Sequence, residues 1–288
     1  MKLTINVVDA FADHQFGGNS AAVIITDSWL SEELMQSIAT ENNLSETAFL
    51  VPEGENSGKQ NHYAIRWFSP LMEIDFCGHA TLASAWVIFS KNPEFTECSI
   101  SAPAVGAMLI RQGADGYIDM DFPNRIPTPV SEVPDALLNG LSLAPEKVLK
   151  NQQAYIAVYK TEAEVKAVRQ DSQLIKQLAP YDVVVTAPSA NNLIDDNLPD
   201  YDFVSRYFWP ANGGDEDPVT GSIHTALAPF WAEQLGKTEL IAYQASKRGG
   251  ILKCQLATNK LTGERVIISG KAVPYLEGII TIYETHQA

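Results

Sequence analysis

The stretch Gly213-Gly214-Asp215-Glu216-Asp217-Pro218-Val219-Thr220-Gly221-Ser222-Ile223-His224 organises the predicted fold. It places glycines, three acids and two hydroxyls directly before an apolar run, residues 225–232. This pattern predicts a helix that begins near Gly221 and Ser222 with free backbone N–H groups at its start. A carboxyl group, a hydroxyl and a helix N-terminus within about one turn can bind an anion and move a proton beside it. A capped helix behind a polar loop explains the same residues equally well, so this stretch alone leaves both interpretations open.

Two motifs recur in the two halves of the chain. Arg66-Trp67-Phe68-Ser69-Pro70 matches Arg206-Tyr207-Phe208-Trp209-Pro210, which lies 140 residues later. Cys77-Gly78-His79 opens an apolar, almost uncharged helix and matches Thr220-Gly221-Ser222 at an offset of 143 residues. The common order of these matches predicts an internal duplication.

The duplication predicts an α/β fold with two facing, pseudo-symmetric halves. Residues 1–122 would form one half around a central helix over 78–90. Residues 123–288 would form the other around a central helix over 221–235, with the last strand free to pack back on the first half. The proline-rich residues 123–134 mark the boundary. Each helix would point its N-terminus into the cleft between the halves, where ligand sites are favoured.

Composition excludes several classes of function. Acidic residues outnumber basic ones by 35 to 20, a formal charge of −15, which argues against nucleic acid and anionic membranes as partners. Three dispersed cysteines without a CxxC pair, and histidines without metal-ligand spacing, argue against a disulfide framework and a metal site. The chain shows no signal-peptide pattern and no membrane-length apolar run, and we expect a cytoplasmic protein.

Four residues are candidates for chemistry, each with a structural alternative. Glu46 enters an apolar strand and is a candidate general acid, although an exposed strand-end glutamate explains it too. His79 opens the first core helix, whose dipole would lower the pKa of the imidazole and favour its neutral form; a helix-cap histidine is the alternative. Asp217 is a second acid or a turn residue. Cys77 is a thiolate base or, as we favour, a small buried side chain.

With these residues named, the sequence resembles the PhzF-like (phenazine-biosynthesis-like) family, within the diaminopimelate epimerase fold. The resemblance spans nearly the whole chain. Its motifs include Asp9-Ala10-Phe11, Gly18-Asn19-Ser20-Ala21, Ser45-Glu46-Thr47-Ala48-Phe49, Cys77-Gly78-His79-Ala80-Thr81, Glu216-Asp217-Pro218-Val219-Thr220-Gly221-Ser222 and Arg248-Gly249-Gly250. Ser20 departs from the family, which usually has proline there.

The resemblance implies two similar halves, each a curled, mostly antiparallel sheet around a central helix, and a homodimer. The family's isomerase converts trans-2,3-dihydro-3-hydroxyanthranilate to its keto tautomer without a cofactor. By motif match, Glu46 becomes the main acid/base, and His79, Asp217 and Ser222 complete the catalytic set. We expect a small anionic substrate that carries a carboxylate, with Asn19, Ser45, Gly78 and Gly221 in contact with it.

Two rival classes remain open at this stage. A racemase or epimerase of this fold would use two facing cysteines, and here only Cys77 is present, because Thr220 holds the matching position. A non-catalytic ligand-binding or interaction protein would not need both Glu46 and Asp217.

Overall fold

Alternating apolar residues and turn signals become strands in both halves of the chain. The computed structural model describes residues 1–54, 61–113, 115–190, 199–212, 214–259 and 263–283, so Gly213 of the opening stretch lies outside the described residues. The first set of strands is β1 (Lys2–Ala10), β2 (Asn19–Ile25), β3 (Glu46–Pro52), β4 (His62–Phe68), β5 (Glu73–Ile74), β6 (Glu97–Ala102), β7 (Gly106–Gln112) and β8 (Ile118–Pro123).

The second set begins in the proline-rich segment. It consists of β9 (Thr128–Pro129), β10 (Lys147–Lys150), β11 (Ala154–Val158), β12 (Asp182–Pro188), β13 (Phe203–Trp209), β14 (Gly214–Asp217), β15 (Glu239–Gln244), β16 (Gly250–Asn259), β17 (Gly263–Gly270) and β18 (Ala272–Thr281). The helices are α1 (Glu32–Asn42), α2 (Gly78–Lys91), α3 (Asp135–Gly140), α4 (Glu162–Ala167), α5 (Ser172–Ile175) and α6 (His224–Leu235).

The two sets of strands repeat one order of pairing. In the first set, β2 runs parallel to β3, and β3 runs antiparallel to β4. β4 then runs parallel to β6, β6 antiparallel to β7, and β7 antiparallel to β8. In the second set, β11, β12, β13, β15, β16 and β17 repeat that order with the same directions. The short strands β5 and β14 each pair with the strand that carries the Arg-aromatic-Phe motif. The repeated topology agrees with the duplicated motifs of the sequence.

The halves are joined by strand pairs as well as by the chain. β8 pairs antiparallel with β17 from Ile118 to Pro123. The last strand, β18, returns to pair antiparallel with β1. Arg248 adds a polar link, because its guanidinium donates to the carbonyl oxygens of Gly17 and Gly18 and lies 2.8 Å from an Asp9 carboxylate oxygen. The two halves therefore share a continuous set of strands.

The core contains both central helices. α2 is buried over nearly its whole length, as is α6 from His224 to Ala232. Side chains from α2, α6 and the strands of both halves form one buried apolar cluster. A helix that is apolar on nearly every face is stable only where other elements surround it. The curled sheets supply that enclosure.

The sequence placed most elements but missed the short ones. Ser31 caps α1, accepting a hydrogen bond from the Leu34 N–H at 3.2 Å. The strands β5, β9, β10 and β14 and the helices α3 and α5 were not predicted, because two to six residues carry too little periodicity to be recognised. Among the described residues, no helix combines the length and apolarity needed to cross a membrane.

Candidate active site

The two central helices meet at Gly78 and Gly221. A Cβ atom added to Gly78 would lie 2.8 Å from the Ser222 nitrogen and 3.0 Å from the Gly221 Cα. Contacts this short with backbone atoms exclude any side chain, so glycine is required for the two segments to touch. The first turn of α2 and the segment leading into α6 therefore lie backbone to backbone, as the duplication predicts.

The predicted start of the second central helix was wrong by three residues. α6 begins at His224 rather than at 221, and residues 221–223 form a turn. The N–H groups of His224, Thr225 and Ala226 bond to the carbonyls three residues earlier. This tighter hydrogen-bond pattern, common at helix ends, separates Ser222 from the regular helix. Ser222 is therefore not a cap, and its hydroxyl accepts a hydrogen bond from the Gln153 side-chain amide at 2.8 Å.

A cavity of about 680 Å³ opens at this junction. Six of the predicted site residues line it: Glu46, Gly78, His79, Asp217, Gly221 and Ser222. Both halves contribute to its wall, in agreement with a site in the cleft between them. The predicted residues Asn19 and Ser45 do not line the cavity: Asn19 is fully buried behind it, and Ser45 is half-buried in the turn before β3.

Glu46 and His79 form a buried ion pair at the bottom of the cavity. Glu46 is the first residue of β3, and His79 is the second residue of α2. The Glu46 Oε2 and His79 Nε2 atoms are 2.8 Å apart, and each side chain is 3% exposed. Neither atom makes a hydrogen bond of good geometry to another described residue. Both remain available to a ligand that enters the cavity.

The charge expected for His79 was wrong. Burial alone lowers the pKa of the imidazole, but interactions with Cys77 and Glu46 outweigh burial and raise the pKa well above its usual value. Burial, and then the charge of Glu46, raise the pKa of the Cys77 thiol to about 11, so the thiol is protonated at neutral pH. Cys77 and Glu46 together favour the protonated form of His79. A partner 2.8 Å away outweighs the partial charge of a helix end.

Asp217 provides a second acid from the other half of the chain. It ends β14 and is 4% exposed. Burial raises its pKa to about 7, with His79 lowering it and the charge of Glu46 raising it. The Asn19 amide nitrogen donates to Asp217 Oδ1 at 2.7 Å, and the Thr220 hydroxyl donates to Oδ2. An acid with a pKa near 7 can both give and take a proton at neutral pH.

Asn19 links the two titrating groups from behind. Its amide nitrogen lies 2.7 Å from Asp217 Oδ1, 3.0 Å from the Val219 carbonyl oxygen and 3.1 Å from His79 Nδ1. These contacts orient both side chains toward the cavity. Contact of Asn19 or Ser45 with substrate remains a prediction.

The opposite wall of the cavity carries a polar network that the sequence did not reveal. The Gln153 amide donates to the Tyr207 hydroxyl at 2.9 Å, and that hydroxyl donates to Asp182 at 2.7 Å. Asn212 donates to the second oxygen of Asp182 at 2.8 Å. Burial raises the pKa of Asp182 to about 6, and the pKa of Tyr207 is also raised. The ring of Tyr207 is part of the buried core. A polar residue at or just before the start of β11 and of β12, Gln153 and Asp182, was the available signal in the sequence.

Glu46, Cys77 and His79 also have the spacing of a metal-binding group. One potential ligand atom from each lies within 4.8 Å of the others, and all three residues are buried. A metal needs a deprotonated thiol and an unprotonated imidazole nitrogen. The raised pKa values of Cys77 and His79 favour the protonated forms and hence the ion pair. The absence of a metal stays a prediction.

Comparison with known proteins agrees with this arrangement. The sequence model for the family described as "Phenazine biosynthesis-like protein" matches residues 8–278. The chain belongs to this family.

Relatives of the phenazine biosynthesis-like family resemble the chain over its whole length. An uncharacterized isomerase of Pseudomonas aeruginosa is 45% identical over 97% of this chain and 99% of its own. A crystal structure of a PhzF family protein from Enterococcus faecalis matches with a TM-score of 0.84 at 37% identity, covering 98% of this chain and 100% of that one. A hydroxyproline epimerase from Agrobacterium vitis, 10% identical, matches with a TM-score of 0.57 over 97% of this chain and 92% of its own. The last likeness shows a shared epimerase-like α/β fold alone.

Proposed function

We propose that the protein is a cofactor-independent isomerase that moves a proton on a small unsaturated or cyclic amino or carboxylic acid. One observation carries the proposal: carboxyl groups from the two halves of the chain, Glu46 and Asp217, line one cavity together with the imidazole of His79, which lies 2.8 Å from Glu46. Relatives named as isomerases support the reaction class.

The substrate carboxylate would bind where the two central helices meet. Gly78 and Gly221 both line the cavity and carry no side chain that would separate a ligand from their backbone. The Ser222 hydroxyl lines the same place. The partial positive charge at helix starts attracts an anion despite the negative charge of the protein.

Glu46 would remove a proton from a carbon next to the unsaturated system. The C–H bond breaks, the proton passes to the carboxylate oxygen, and the electron pair is delocalised into the substrate. A proton from Glu46, or from Asp217 with His79 as relay, then forms a C–H bond at a distant carbon. Substrate and product have the same composition, so the step needs no oxidant or reductant.

The test begins with a thermal-shift screen of small carboxylates and cyclic amino acids, because a bound ligand raises the melting temperature. Hits are then incubated with the protein in D₂O, and deuterium incorporation is followed by NMR. We expect Glu46→Gln to lower the rate of incorporation by about 10²- to 10⁴-fold, the usual contribution of a positioned acid/base. Glu41→Gln, on the exposed surface of α1, is the control and should exchange normally. Unchanged exchange in Glu46→Gln would contradict the role of Glu46.

The same experiment separates the two rival functions. A two-thiol epimerase would lose exchange on Cys77→Ser and keep it on Glu46→Gln. The buried Thr220 at the position matching Cys77 and the protonated thiol disfavour that mechanism. A non-catalytic binding protein would show thermal shifts without exchange in any variant.

A further inference from the structure

A proline in the second central helix fixes the position of an arginine at the cavity. Pro229 lies inside α6 and has no N–H, so the carbonyl of Thr225, four residues earlier, lacks its donor within the helix. The backbone N–H of Arg125 donates to that carbonyl at 3.1 Å. Arg125 is thereby attached to the first turn of α6, beside the turn that holds Ser222.

The side chain of Arg125 points to the cavity and has no acidic partner. Its guanidinium carbon lies 5.2 Å from the centre of the Phe76 ring, a cation–π contact that leaves the N–H groups free. Within the described ranges no carboxylate forms an ion pair with it, although Arg66, Arg206, Arg248 and Arg265 each have one. Burial is the one influence on the pKa of Arg125, which it lowers. Burying part of a charged guanidinium without a partner costs free energy. The chain has 35 acidic residues that could have supplied a partner, so the unpaired state calls for an explanation.

Arg125 is the sole arginine or lysine among the described residues that line the cavity. Five lining residues are acids: Glu46, Glu73, Asp75, Asp182 and Asp217. The predicted carboxylate position at Gly78, Gly221 and Ser222 uses backbone and hydroxyl donors and leaves the guanidinium unused. The volume of about 680 Å³ lies in the range of cavities that hold drug-sized ligands, so there is room for a second group.

We propose that Arg125 binds a second carboxylate of the substrate, so that the substrate is a dicarboxylic acid. The planar guanidinium fork matches a carboxylate with two parallel hydrogen bonds. This inference rests on the proposed function, in which the first carboxylate lies at the helix junction and the reacting carbon lies near Glu46.

The test compares diacids with monoacids of the same chain length. Glutarate and adipate are titrated beside valerate and hexanoate, and dissociation constants are measured by calorimetry. We expect the wild-type protein to bind a diacid about 10- to 100-fold more tightly than its monoacid, the range for a hydrogen bond between charged groups. Arg125→Gln should remove this advantage and leave monoacid binding unchanged. Arg169→Gln, at an exposed arginine, is the control and should keep it.

Three results would overturn the proposal. No diacid binds the wild-type protein more tightly than its monoacid, the tighter binding of diacids persists in Arg125→Gln, or Arg125→Gln weakens the binding of diacids and monoacids equally. Arg125→Lys keeps the charge without the fork and should retain a reduced advantage, which provides a second reading if Arg125→Gln is poorly folded. The titrations are repeated in Glu46→Gln. The ratio of diacid to monoacid affinity in Glu46→Gln tests the role of Arg125 separately. It does so even if the deuterium exchange shows that Glu46 is not the acid/base.

Discussion

Asn19 is a buried amide that contacts a titrating side chain from each half of the candidate site. It is fully buried, and its nitrogen reaches the side chains of Asp217 and His79, which come from the two halves of the chain. The amide is one of the groups that favour the charged form of Asp217, after His79 and the Thr220 hydroxyl. Asn19 is therefore a positioning residue in our interpretation, whether or not substrate also touches it.

We predict that Asn19→Ala raises the pKa of Asp217 above about 7, because the carboxylate loses a donor that favours its charged form. The pKa of Asp217 already exceeds the ordinary value of 3.8 for this side chain, so the folded protein binds this proton more tightly than the unfolded chain. Its contribution to stability is present below pH 3.8 and is lost as the pH rises through about 7. In Asn19→Ala that loss should extend to higher pH, and the unfolding free energy should fall by about 1–3 kcal/mol.

Urea unfolding over a pH series measures the stability change, and the pH profile of deuterium exchange measures the pKa. Asn139→Ala, at an exposed position in α3, is the control. A loss of stability with an unmoved pH midpoint would show that Asn19 has a structural role only.

At the scale of elements, the duplicated Arg-aromatic-Phe motif has one structural role in both halves. Arg66 in β4 pairs with Glu73 in β5, and Arg206 in β13 pairs with Glu216 in β14. Each guanidinium also lies over the phenylalanine two residues later, at 5.2 Å for Phe68 and 5.1 Å for Phe208. Glu216 is therefore held by an ion pair and is not a freely solvated loop charge. Its ion pair holds β14, and so the neighbouring Asp217, against β13.

The contact between the central helices gives a prediction at the same scale. Gly78→Ala places a Cβ atom 2.8 Å from the Ser222 nitrogen, so the two segments must separate. We expect a loss of about 1–3 kcal/mol of stability, typical of overpacking, together with weaker carboxylate binding and slower exchange.

Gly214→Ala is the matched control, because its added Cβ has ordinary contacts of 3.4 Å or more with Trp209. Thermal unfolding, carboxylate titration and deuterium exchange are measured for both variants. Wild-type behaviour of Gly78→Ala would contradict the backbone contact between the helices.

At the scale of the whole molecule, one edge of the sheet has no partner within the described residues. β18 pairs with β1 on one side, and its other side forms no strand pair among those residues. Tyr275, Leu276 and Ile279 on this strand are exposed, and Phe16 contacts the Tyr275 ring edge to face at 6.0 Å. A long exposed strand edge with apolar side chains is a site for association. We propose that a second copy of the chain covers it.

The expected dimer is tested by light scattering after gel filtration. The wild-type protein should have twice the mass of the chain. Ile279→Lys should lower the measured mass toward that of the monomer, because it places a charge in the interface. Leu71→Lys, an equally apolar and exposed position away from β18, should leave the mass unchanged. A monomeric wild-type protein, or a dimer insensitive to Ile279→Lys, would refute the assignment of this edge.

The sequence by itself determined the longer strands, the two buried central helices and the motifs at their starts. These features depend on the spacing of apolar residues and on glycines within one segment, and both are visible in the chain order. Motif matching with a known family then placed Glu46, His79, Asp217 and Ser222 in one site, and the cavity brings those four residues together. Their catalytic roles remain proposals.

The tertiary structure alone decided the pKa shifts of the site residues and which polar residues form the opposite wall of the cavity. The pKa of His79 is raised by Cys77, two residues before it, and by Glu46, which is distant in sequence and lies 2.8 Å away; no local pattern contains that second distance. The position of Arg125 likewise depends on a carbonyl freed by Pro229 in another segment. Ionisation and unsatisfied charge depend on groups brought together from both halves, whereas helix and strand formation depends mainly on neighbours along the chain.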